Sequence, residues 1–211
     1  AGDLALGEGA NVDTWMNRAT VSPTGNAVRP GGETPVTYTV MGGPAVVMGA
    51  GRLQTQNDIS VNRSTHFEVF IAATARERTN GYIFETAGSV TPRLSAHLPW
   101  TDPSAPARGY FDIPYVDSAT RIQTPFVPRA IWHAYRGTSG SALFVNNVSA
   151  PASGNSVSRD SRQQLWIGGA NRTGANNQLN LHELIIFNEP ISDGARAAIR
   201  SAMQTRWFPG L

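Results

Sequence analysis

The chain has 211 residues, of which 40% are hydrophobic and 15% charged, with a formal net charge of +2. This composition is that of a globular protein long enough for a large core. The absence of cysteine excludes a disulfide scaffold and thiolate metal sites. All 17 basic residues are Arg, spread from Arg18 to Arg206 without a basic, aromatic-interleaved cluster, and no apolar run nears the ~18 residues of a membrane span. Neither nucleic acid nor membrane is therefore an expected partner.

Turn signals divide the chain into short apolar runs, several of them alternating with the period of two that marks half-buried strands. Residues 34–40 (TPVTYTV) alternate and stop at Met41-Gly42-Gly43-Pro44, and residues 45–48 (AVVM) form a continuous apolar run. Residues 66–73 (HFEVFIAA) begin in alternation and turn wholly apolar, as a strand entering a core does. Residues 81–86, 129–135, 142–145, 165–168 and 181–187 continue the series. The pair Asn146-Asn147 reads as a tight turn, because Asn tolerates positive φ.

Two segments differ from this pattern. Residues 100–129 hold five prolines, several aromatics and three aspartates, and read as one or two short strands with long loops. Loops of this kind are where function concentrates. Near the end, Ser192-Asp193 offers a helix N-cap. Ala195, Ala198, Ile199, Ala202 and Met203 then recur at spacings of three and four, with Arg196 and Arg200 off that stripe. A helix over about 193–206 is expected, stopped by Pro209-Gly210.

Many short strands and one late helix predict an all-β, two-sheet antiparallel β-sandwich with a short C-terminal α-helix, forming one domain over 1–211. In that setting Trp15, Trp132, Trp166 and Trp207 are expected in the core, while Trp100 belongs as readily to a binding surface. Retaining glycoside hydrolysis uses two carboxyls ~5–5.5 Å apart. Glu183 stands alone on its strand, and only pairing between strands would bring Glu68 to Glu85. The expectation is a protein that is not an enzyme. His66, His97, His133 and His182 are dispersed, and no cofactor is implied; Asp102, Asp112 and Asp117 are the residues that could supply oxygen ligands to Ca²⁺.

Carbohydrate recognition asks for aromatic faces against sugar C–H surfaces and planar polar groups on hydroxyls. The 100–129 segment offers Trp100, Asp102, Arg108, Tyr110 and Tyr115 for this, and a second polar loop offers Asn171, Arg172 and Asn176.

Several motifs resemble the concanavalin A-like lectin/glucanase superfamily, in particular the laminin G-like jelly-roll modules of bacterial surface proteins and phage virions. Trp15-Met-Asn-Arg with Gly25-Asn26-Ala27 resembles the opening of such modules, and Gly43-Pro44-Ala45-Val46-Val47-Met48-Gly49 one of their strands. His66–Phe70, Gly81–Glu85, the stretch from Trp132 to Asn147 and Leu165-Trp166-Ile167-Gly168-Gly169 are similar to successive core strands. Glu183-Leu-Ile-Ile-Phe-Asn-Glu-Pro-Ile-Ser-Asp-Gly-Ala-Arg resembles the last strand and the helix after it. His97-Leu98-Pro99-Trp100-Thr101-Asp102 with Gly109-Tyr110-Phe111-Asp112 is similar to virion-associated members.

The resemblance implies a lectin-like jelly roll on a virion surface, as a head spike, decoration or tail component attaching to host-cell glycan. Host-surface polysaccharide, other virion proteins and copies of itself are the implied partners. Two alternatives accompany it: a purely structural virion protein, and a secreted extracellular bacterial carbohydrate-binding or adhesion module.

Overall fold

A computed structural model describes residues 6–16, 26–32, 36–39, 44–48, 51–61, 66–75, 81–86, 93–102, 105–115, 121–137, 140–150, 161–168, 179–187 and 189–211. The first strands are β1 (Asn11–Val12), β2 (Thr14–Trp15), β3 (Ala27–Val28), β4 (Val36–Thr39), β5 (Ala45–Met48), β6 (Leu53–Thr55) and β7 (Ile59–Val61). The long central strands follow: β8 (Phe67–Ala75), β9 (Tyr82–Thr86), β10 (Arg93–Asp102), β11 (Ala105–Tyr115), β12 (Ile122–Pro125) and β13 (Arg129–Gly137). Next come β14 (Gly140–Val145), β15 (Val148–Ala150), β16 (Ser161–Gln163), β17 (Leu165–Ile167), β18 (Leu179–Phe187) and the helix α1 (Asp193–Trp207).

Among the described residues the strands form two eight-stranded antiparallel sheets and a small β16–β7 pair. The first sheet runs β1-β4-β5-β18-β8-β13-β14-β15 and the second β12-β11-β10-β9-β17-β6-β3-β2. The sandwich expected from alternation is the one observed. Val69, Ile71 and Ala73 of β8 and Ala130, Trp132 and Ala134 of β13 meet Phe84, Leu94, Ala96, Leu98, Phe111 and Ile122 of the second sheet in one buried cluster. Every second residue along these strands points into it. Asn146 and Asn147, at φ 48° and 66°, make the tight β14–β15 turn that their residue type allows.

The 100–129 segment departs from the sequence expectation. Its described residues are mostly strand: the end of β10, all eleven residues of β11, and β12. Prolines obscured it. Pro99, Pro106 and Pro114 have no partner in the β10–β11 register, which shifts between His97 and Trp100, between Trp100 and Asp102, and between Arg93 and Ser95. A proline removes one ladder hydrogen bond, and bulged positions tolerate that loss.

Gly109 sits in β11 facing inward, where a Cβ would lie 2.8 Å from Leu98 Cδ2 and 3.2 Å from Trp132 Cζ3. Gly109→Ala is therefore expected to displace the Leu98 methyl and crowd the Trp132 ring, costing about 1–3 kcal/mol in this packed core. Thermal unfolding measures this, and an unchanged midpoint would contradict the close approach.

The helix packs on the outer face of the first sheet. Ser192 Oγ caps it by accepting from the Ala195 N–H at 3.2 Å, with Asp193 in the first turn and Arg206 in the last. Met203 and Phe208 are buried against Phe70, Ala72 and Ile131. The expected stripe is displaced: Ala198 and Ala202 are exposed, whereas Arg196 and Arg200 are half-buried and face the sheet. The reason is Glu68, a carboxylate on the covered face of β8 that draws Arg196 inward. No described helix is long and apolar enough to cross a membrane.

Candidate functional site

The outer face of the second sheet, away from the helix, assembles the polar and aromatic residues of β9 to β12. Along β11, Gly109 and Phe111 point inward, so Arg108, Tyr110 and Asp112 point outward. Register places Trp100 opposite Arg108, His97 opposite Tyr110 and Ser95 opposite Asp112. On the next strand Gln123 lies opposite Tyr110 and Pro125 opposite Arg108. The register shift between His97 and Trp100 has a direct consequence. Three residues apart on a regular strand, they would face opposite sides; across the bulge they share one. Trp100 meets His97 edge-on at 5.2 Å and Tyr82 at 6.2 Å. Trp100, Arg108, Tyr110 and Gln123 are half-buried, open enough to meet a ligand and packed enough to be held.

A buried ion network stiffens the floor of this face. Asp112 accepts from Arg121 Nε at 2.7 Å and Nη2 at 3.1 Å, and from Ser95 Oγ at 3.0 Å. The single Ser95 proton points to Asp112, so Nε2–H of His97 donates in its 2.9 Å contact with Ser95 Oγ and approaches Asp112 Oδ2 at 3.3 Å. Burial alone would raise the Asp112 pKa. Hydrogen bonds and charge from His97 and Arg121 outweigh it and hold the carboxyl far below the usual range. Arg121, so fixed, lies 4.6 Å over the Tyr110 ring and locks the orientation of that ring. Ser95, His97 and Asp112 are not the acyl-transfer relay, in which the two imidazole nitrogens bridge acid and nucleophile. Here one nitrogen faces both.

Of the residues expected from sequence, Trp100, Arg108 and Tyr110 come together here. Asp102 and Tyr115 lie at opposite ends of the β10–β11 pairing, opposite Ala105 and Arg93 respectively, and their side chains lie outside the described residues. Asn171, Arg172 and Asn176, and also Asp117, lie outside the described residues. Asp112, weighed as a Ca²⁺ ligand, is engaged with Arg121 instead, and no group of three or more His, Asp or Glu among the described residues could hold a metal. Sequence reading missed Tyr82, His97, Arg121 and Gln123 as members. The period-two run Arg108–Tyr110–Asp112 was the available signal; the cross-strand partners carry none.

Trp132 is buried in the core as expected, and Trp15 packs against it. Trp166 instead is half-buried, with Arg52 stacked 3.6 Å from its ring. Its register partners are Glu85 and Gln54, and Glu85 pairs with Ser95, so Trp166 belongs to the outer face.

The carboxylates do not converge. Glu68 faces outward from the first sheet and Glu85 from the second, with the sandwich between them. Glu183 shares the Glu68 face but is four residues, about 13 Å, from the partner of Glu68 on β18. It accepts from Arg206 at 3.2 Å and from Trp207 Nε1 at 2.6 Å. Glu68 holds the helix. It accepts from His133 Nε2 at 2.6 Å and from Arg196 at 2.9 and 3.1 Å, with His66 Nε2 at 3.3 Å. His133, stacked on Phe70 at 4.0 Å, gives its Nε2 proton to Glu68, which leaves Nδ1 to accept from Arg200 at 2.9 Å.

No protein-family model matches the chain, and no curated protein sequence matches it. Solved structures do. A Trypanosoma rangeli sialidase in complex with a difluorinated nononic acid matches at 15% identity and TM-score 0.54, over 96% of this chain and 32% of that one. The botulinum neurotoxin type G receptor-binding domain matches at 9% identity and TM-score 0.53, over 91% of this chain and 51% of that one. The serotype D ligand-binding domain, in complex with N-acetylneuraminic acid, matches at 8% identity and TM-score 0.54, over 91% and 50%. The likeness is one of fold.

The chain thus spans about a third of the sialidase and half of each toxin domain. These matches correct one expectation. The missing carboxylate pair points, from sequence alone, to a protein that is not an enzyme. Sialidases stand among the structures of similar fold, and sialidases use a tyrosine nucleophile, so the carboxylate criterion does not cover them. That exclusion is withdrawn.

Proposed function

We propose that this chain is a carbohydrate-recognition sandwich of the concanavalin A-like, laminin G-like kind, one module over 1–211, which attaches a phage or phage-like particle to glycan on a host-cell surface. The observation that carries the reading is the outer face of β10 to β12. It sets Trp100, Arg108, Tyr110 and Gln123 side by side on a floor fixed by the Asp112–Arg121 pair. An indole offers its face to sugar C–H groups while guanidinium, phenol and amide groups meet hydroxyls, and a pre-set floor lowers the entropic cost of holding them.

The fold likeness supports the same reading, since the matched toxin domains are described as receptor- or ligand-binding and one is in complex with N-acetylneuraminic acid. The virion-surface placement, with host polysaccharide, other virion proteins and copies of this chain as partners, rests on the motif resemblance around His97–Asp102 and Gly109–Asp112.

A glycan array probed with the full chain, alongside capsule and lipopolysaccharide preparations, tests the binding. A confined set of bound glycans is expected, and binding to none would overturn it. Antibody labelling of purified particles tests the virion placement.

A further inference from the structure

We propose that the glycan held on this face carries a carboxylate, and that Arg108 selects it. The inference rests on the carbohydrate-binding reading of the β10–β12 face and names its ligand class.

Three arginines described on the outer face of the second sheet differ in what they meet. Arg121 is paired in a bidentate contact with the buried Asp112 at 2.7 and 3.1 Å. Arg52 lies flat on Trp166 at 3.6 Å. Arg108 hydrogen-bonds a neutral group, donating from Nη1 to Gln123 Oε1 at 3.1 Å, and is in none of the ion pairs formed by the described residues. Its positive charge is uncompensated there.

Position makes that charge useful. Arg108 lies directly opposite Trp100, about 5 Å between Cβ atoms for such a pair. A sugar ring resting on the indole therefore presents its substituents to the guanidinium. The Gln123 contact steadies one Nη1 hydrogen and leaves the Nε–Nη2 edge, whose two parallel N–H groups match the two oxygens of a planar carboxylate. A hydroxyl can use only one of them. A half-buried guanidinium with no carboxylate partner among the described residues, set beside an aromatic platform, is thus complementary to an acidic sugar rather than a neutral one.

The test is calorimetric titration of the full chain with two matched pairs: 3′-sialyllactose against lactose, and oligogalacturonate against its methyl ester. In at least one pair the carboxylated member is expected to bind about tenfold more tightly, which corresponds to ~1.4 kcal/mol. Arg108→Gln is expected to bring that pair to equal affinity, and Arg108→Lys to retain part of the difference. Equal affinity for charged and neutral members in the unaltered protein would overturn the proposal, as would a preference that survives Arg108→Gln. If neither pair binds while the array reports neutral glycans, acidic-sugar selection fails and the carbohydrate reading stands. If nothing binds in either experiment, both fail.

Discussion

Replacing Glu68 with Gln is expected to destabilise the protein by about 3 kcal/mol, the low end of the ~3–5 kcal/mol that follows when one partner of a buried ion pair is removed. The low end applies because Arg196, with 13% of its side chain exposed, can turn partly toward water once its acceptor is gone. His133 has no such exit: its side chain is fully buried between β8, β14 and the helix. For a chain of this size the midpoint of thermal unfolding should fall by roughly 6–12 °C. An unchanged midpoint would mean that the Glu68 cluster does not hold the helix, leaving that to Met203, Phe208 and the Glu183 contacts.

The same cluster makes stability depend on pH, with a definite sign. Burial lowers the His133 pKa, more than its hydrogen bond to Glu68 raises it, and Arg200 and Arg196 add to the lowering. The unfolded chain then takes up a proton near the ordinary histidine value of about 6.5 that the folded chain refuses. His133 thus contributes stability that is full above that value and is lost as pH falls from it toward the folded pKa. Burial would raise the Glu68 pKa, but His133 and Arg196 lower it further than burial lifts it. Its contribution is present above the ordinary carboxylate range of about 4.3 and is lost as pH falls through the folded value. Urea midpoints measured from pH 8 to pH 3 should decline in two stages, and Glu68→Gln should shrink the lower one, the remainder belonging to Asp112, whose carboxyl is also held below its ordinary range.

Trp100→Ala carries the second large effect. Aromatic anchors at binding surfaces commonly contribute ~2 kcal/mol or more, so affinity for the best array glycan should drop roughly 30-fold or beyond. Trp100→Phe should recover part of it, since a smaller ring still offers a face. The indole also touches His97 and Tyr82, so a circular dichroism spectrum of the variant separates lost binding from lost structure. Affinity unchanged in a folded Trp100→Ala variant would remove Trp100 from the site.

The apolar runs at residues 66–73 and 181–187 mark their strands from sequence alone. Local pattern failed at two places for identifiable reasons. Prolines and Gly109 made β10 and β11 look like loops, because bulged ladder positions accept residues that a regular strand rejects. The two helix arginines fall off the apolar stripe yet face the sheet, because their buried partners, Glu68 and His133, lie 128 and 67 residues away from Arg196 and Arg200 respectively, beyond the reach of local pattern. The candidate site was half legible: Trp100, Arg108 and Tyr110 shared one segment, but His97, Arg121 and Gln123 join them only through strand register and a bulge.

The most direct test of glycan binding on the β10–β12 face is a ¹H–¹⁵N NMR titration of the full chain with the strongest array glycan. The largest shifts are expected at the Trp100 indole and at the amides of Arg108, Tyr110 and Gln123, with the helix amides at 193–207 unmoved. Shifts centred on the helix-covered sheet, or scattered without a centre, would contradict it.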